Sequence, residues 1–129
     1  MGGWIESESN LSKKGDAWVA GDALVFRKAR VFDEALVFGG ATVSGTSRLS
    51  GNARVGDRGW VSDEAWVSGN AWVTGKARVG GDARIEDGAW IGDHAWAAGK
   101  VRVSGHARVE GNARLISSQW VSGDTKISG

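Results

Sequence analysis

From Gly15 to Ser128 the chain repeats one pattern of apolar and polar positions every six residues, nineteen times, without an insertion or deletion. The fifth position of the hexad is Val, Ile or Leu in eighteen cases, with Ala97 the exception, and the third is Ala in fourteen. Ser47, Gly59, Val101, Gln119 and Thr125 replace that Ala. The first position is mostly Gly or Asp, and the second favours Asp, Asn, Gly, Lys or Glu. Positions three and five lie two apart, so on extended chain they share a face, and position four points the other way. Gly followed by Asn or Asp suits a bend, because Gly takes positive φ freely and Asn or Asp tolerate it. Each hexad therefore predicts a short strand and a corner. A helix would need apolar spacing near 3.6, and a Gly every sixth residue would cost it about 1 kcal/mol each time. No helix is expected.

A two-residue apolar face cannot make a core alone and must stack on its neighbours, which is the logic of a solenoid. The pattern resembles the hexapeptide-repeat signature, as in Val19-Ala20-Gly21-Asp22-Ala23-Leu24 and Val31-Phe32-Asp33-Glu34-Ala35-Leu36. In that family three hexads make one coil of a left-handed parallel β-helix. The resemblance implies an all-β triangular β-solenoid over residues 15–129, about six coils tall and roughly 30 Å long at the spacing of neighbouring strands. Left-handedness is carried by the resemblance alone, since parallel crossovers are ordinarily right-handed. One departure fits the coil. Ala97 leaves a gap that Ile91 and Val101, in place of the usual Val and Ala, are expected to fill.

Residues 1–14 fall out of register and are expected to form an N-terminal cap. A two-residue insertion within Ser7–Lys14 would restore phase between Ile5 and Val19, with Leu11 turned inward. Phe26, Phe32 and Phe38 take the sixth position of three successive hexads, a surface that Trp4 is expected to cover. The opening stretch GGWIESESNLSKKGDAWV also resembles phage-encoded and bacterial hexapeptide-repeat proteins of unassigned role, some of them described as transferases. In such proteins it follows other sequence, so the chain is expected to belong to a longer one.

Composition narrows the chemistry. The chain has 129 residues, the size of one domain, with 21 Gly, 8 Trp, 3 Phe and neither Pro, Cys nor Tyr. Without Cys there is no disulfide framework, thiol nucleophile or Cys-ligated metal. Sixteen Lys+Arg against fifteen Asp+Glu give a net charge of +1, which predicts no strong attraction to nucleic acid or anionic lipid. No apolar run is long enough to span a membrane, and the N-terminus lacks the pattern of a signal peptide. A cytoplasmic or virion-associated setting fits both facts.

The best-known enzymes on this scaffold are acyltransferases, and the resemblance extends only to the repeat. Their chemistry uses a His base and loops projecting from the coils. Here His94 and His106 both stand at the corner position, on different sides, and no loop interrupts residues 15–128. Corner decoration is the expected role of both, and two separated His cannot make a three-His zinc site. Acidic pairs such as Asp33-Glu34 and Asp63-Glu64 are read as solvated corner charge. No catalytic residue, cofactor or metal is expected. The alternative is an acyltransferase-like enzyme with its site at a subunit interface.

The unusual feature is the outward fourth position. Sorted by side, one row reads Trp18, Leu36, Arg54, Trp72, Trp90, Arg108, Lys126; a second reads Leu24, Thr42, Trp60, Arg78, Trp96, Arg114; a third reads Arg30, Arg48, Trp66, Arg84, Arg102, Trp120. Trp and Arg would then stack at about 4.8 Å, close enough for guanidinium to lie on indole. Ice binding would call for regular Thr ladders, and only Thr42 stands outward. The strip Trp60, Arg78, Trp96 and Arg114, beside Arg58, Lys76 and His94, is the candidate binding surface for a protein or glycan. These readings make the chain a non-catalytic structural or interaction module. Its final coil, with Gln119 and Thr125 turned inward and Leu115, Val121 and Ile127 at an open end, is expected to mediate self-association.

Overall fold

The computed structural model describes residues 4–5, 11–15, 17–116 and 118–128. These form an all-β parallel β-solenoid of about six turns, built from three seven-stranded sheets. In the repeat, strands occupy the fourth and fifth hexad positions, as in Trp66–Val67 and Arg84–Ile85. Each strand pairs in parallel with the strand three places on, so Trp60 faces Arg78 and Val61 faces Val79, eighteen residues away. Three sheets around one interior fit a triangular cross-section. The rows read from the sequence are the rows of these sheets, one per sheet.

The alternation of the hexad sets what is inside. Val25, Val43, Val61 and Val79 of one sheet, with Ala23, Ala41 and Ala77 two positions before the first, second and fourth of them, are essentially unexposed. Fully burying such a side chain stabilises by about 1.5–3 kcal/mol for a Val and less for an Ala. The core is therefore thin but continuous. Ala97, Ile91 and Val101 all lie fully buried within it. Backbone polarity is satisfied between turns: Asn52, Arg54 and Gly56 donate N–H to the carbonyls of Gly69, Ala71 and Val73 at 2.7–2.9 Å. The corner closes on itself, with the Ala53 N–H returning to the Ser50 carbonyl at 3.1 Å.

Corners turn at the first hexad position, not the second. Gly21, Gly39 and Gly45 take φ of 62–73° there, and Asp33, Asp57, Asp63, Asp87 and Asp93 take 54–61°. Asp is tolerated in this region because its short polar side chain bonds locally. The bond it makes corrects the reading of Asp33 and Asp63 as merely solvated charge. Their Oδ2 atoms accept the N–H of Gly51 and Gly81, one turn on, each at 3.0 Å. The acceptor of that N–H thus lies in the preceding turn.

At the N-terminal end, Trp4–Ile5 and Leu11–Gly15 pair as the first strands of two sheets. Leu11 aligns with Val31 and Gly15 with Asp33, so the extra two residues fall between Leu11 and Gly15. That narrows the expected insertion to Ser12–Lys14. The side chains of Trp4 and Leu11, and with them the covering of the Phe residues and the inward turn of Leu11, lie outside the described residues. Phe26, Phe32 and Phe38 are half-buried. A Cβ built on Gly56 would meet the Phe38 ring at 2.2 Å, so this ring lies over the bare backbone of the next turn. At the other end the polar third-position residues bond to the preceding corner: Gln119 Oε1 accepts the Ile116 N–H at 3.2 Å, and Thr125 Oγ1 donates to the Ser122 carbonyl at 2.7 Å. Buried Ser47 does likewise to Ser44.

Candidate functional site

The outward rows become guanidinium–indole ladders because parallel register places fourth-position residues directly above one another. In the second row, Arg78 Cζ lies 5.0 Å from the Trp60 ring centroid and 5.8 Å from that of Trp96, and Arg114 lies 5.3 Å from Trp96. The four predicted residues thus form one continuous ladder. In the third row Trp66 is held between Arg48 at 5.6 Å and Arg84 at 5.1 Å, and Arg102 lies over Trp120 at 5.0 Å. The Trp66 Nε1–H is buried without a hydrogen-bond partner among the described residues. The first row carries an Arg–Trp–Trp–Arg run. Arg54 lies on Trp72 at 5.1 Å, Trp72 on Trp90 with centroids 6.1 Å apart, and Arg108 on Trp90 at 4.7 Å. The Trp90 Nε1–H donates to Thr74 Oγ1 at 2.9 Å.

These contacts decide what the faces present. An indole with a guanidinium over its face offers its edge to a partner, and the stacked guanidinium keeps its in-plane N–H donors. Trp60 and Trp96 remain 41% and 37% exposed, so the second-row strip is accessible. The open groove at its border, lined by Gly75, Lys76, Asp93, His94, Gly111 and Asn112, has a volume of about 410 Å³. His94 therefore sits with Lys76 and Asn112. His106 lies against Gly88 on another corner, where a Cβ on Gly88 would meet its Nδ1 at 2.9 Å. The two imidazoles are not brought together.

Among the described residues no group of three or more His, Asp or Glu is placed to hold a metal ion. Among the described residues no helix is long and apolar enough to cross a membrane. Sequence reasoning missed a second cluster. Arg27, Lys28, Arg30, Thr46 and Arg48 line an open groove of about 400 Å³ at the N-terminal end of the third face. Its members are scattered over two hexads eighteen residues apart, and only stacking the rows with their corner residues would have found it. Compared with known proteins, the chain matches no protein-family model and no curated protein.

Proposed function

We propose that this chain is a non-catalytic interaction module: a left-handed triangular coil of three hexads per turn, akin to the hexapeptide-repeat proteins of phages and bacteria, that binds a protein or glycan partner on its Trp/Arg face. The eighteen-residue register and the three sheets support the coil. One observation carries the functional reading: the uninterrupted Trp60–Arg78–Trp96–Arg114 ladder, exposed and free of carboxylate partners among the described residues. Trp and Arg are the residue types that concentrate binding energy at interfaces, and stacking fixes their rotamers before a partner arrives. The separation of His94 from His106 favours this reading over an acyltransferase-like one.

The test is a screen of defined glycans and acidic proteins with the wild type, a Trp60→Ala/Trp96→Ala variant and a Trp18→Ala control. Binding lost in the double variant and kept in the control is the expected result. Micromolar acetyl-CoA binding that disappears in His94→Ala or His106→Ala would return the chain to the enzymes.

Self-association through the last coil belongs to the same proposal. Leu115 and Val121, expected to stand exposed at that end, are buried, and the proposal is favoured instead by Ile116 and Trp120, which are 58% and 72% exposed on that coil.

A further inference from the structure

Arg30 and Arg48 are register partners on neighbouring strands of the third face. Neighbouring strands lie about 4.8 Å apart, and like charges directly opposite one another destabilise a sheet. Two other like-charge register pairs stand on the outer rows, and each has a carboxylate at hand. Arg84 and Arg102 border a groove that Glu64 and Asp82 also line. Lys126, the partner of Arg108, has its Nζ 3.0 Å from Glu110 Oε1. Arg30 and Arg48 pair with no carboxylate among the described residues. Their groove adds Lys28. The described lining of this groove thus carries no carboxylate.

We propose that this groove binds a tetrahedral oxyanion, a phosphate or sulfate group, either free or carried as an ester on a larger ligand. A doubly charged oxyanion between two guanidiniums removes their repulsion and accepts paired N–H bonds from each, the geometry for which Arg is suited. Arg48 is already positioned by the Trp66 ring at 5.6 Å, with its N–H edge left available. The Thr46 hydroxyl is committed to the Asp63 carbonyl at 3.3 Å, so the donors are Lys28, Arg30 and Arg48. The site is distinct from the Trp60–Arg114 strip, on another face, and does not depend on it.

The experiment is thermal unfolding and calorimetric titration at low ionic strength with inorganic phosphate and inorganic sulfate, against chloride at matched ionic strength. Both oxyanions are expected to bind saturably and to raise the melting temperature beyond chloride. Arg30→Gln and Arg48→Gln should each weaken that binding about tenfold or more, as loss of a charge-assisted hydrogen bond does. Arg108→Gln, on another face, should leave it unchanged. Arg30→Gln should also melt higher than wild type in chloride, because the repulsion is gone. Parallel titrations with a sugar phosphate and a sugar sulfate show which ester the groove prefers. Phosphate and sulfate shifts no larger than those of chloride, or binding that survives in Arg30→Gln/Arg48→Gln, would overturn the proposal.

Discussion

The carboxylate of Asp57 accepts the backbone N–H of Gly75, eighteen residues on, at 3.1 Å, from a residue whose own φ is +55°. One side chain thus meets two demands of the corner, a left-handed backbone and an axial N–H in need of an acceptor. Asp57→Gly removes only the bond and should cost about 1 kcal/mol. Asp57→Ala should cost about 1 kcal/mol more, because it also forces Ala into the left-handed region. Asp57→Asn, which tolerates that region and still accepts, should be mildest. Urea midpoints of the three variants check the order.

Adjacent glycines provide a second contrast. A Cβ on Gly39, at φ +62°, would stand 2.9 Å from the Asp57 backbone nitrogen, whereas one on Gly40 would meet nothing closer than 3.5 Å. Gly39→Ala is expected to destabilise by about 1–3 kcal/mol, from strain and crowding together. Gly40→Ala should be neutral or stabilise by up to about 1 kcal/mol through the unfolded chain. Equal effects at the two positions would contradict the corner geometry.

The core prediction concerns Ala97, whose missing volume Ile91 and Val101 are expected to balance. Ala97→Val alone overpacks and should cost about 1–3 kcal/mol. Val101→Ala alone leaves a gap and should also destabilise. Together they should approach wild type, giving a favourable coupling in a double-mutant cycle. Strict additivity would show that the three residues do not share one layer.

Much of this was legible in the sequence, for identifiable reasons. The period fixed which residues face inward, and stacking at eighteen-residue intervals assigned Trp60, Arg78, Trp96 and Arg114 to one row. The corners were harder. That Asp33 and Asp63 bond to the next turn needs the residue eighteen places on, and in each case that residue is Gly, a correlation invisible along a single hexad. The basic groove was missed for the same reason, because Lys28 and Arg30 gain meaning only beside Arg48. That Phe38 lies over bare backbone at Gly56 likewise needs the residue eighteen places on.

The exposed last coil gives a fourth prediction. Light scattering at high micromolar concentration should report a closed pair, and Ile116→Lys with Trp120→Lys should return monomers. A wild-type monomer at that concentration would remove the self-association proposal while leaving the binding strip intact.

The central claim is that the Trp/Arg ladder is a binding surface, and affinity for a partner found in the glycan and protein screen tests it most directly. Trp60→Ala and Trp96→Ala should each cost about 2 kcal/mol, some thirtyfold in Kd, with the fold intact by circular dichroism. An unchanged Kd in the double variant would mean that the ladder only stiffens the solenoid.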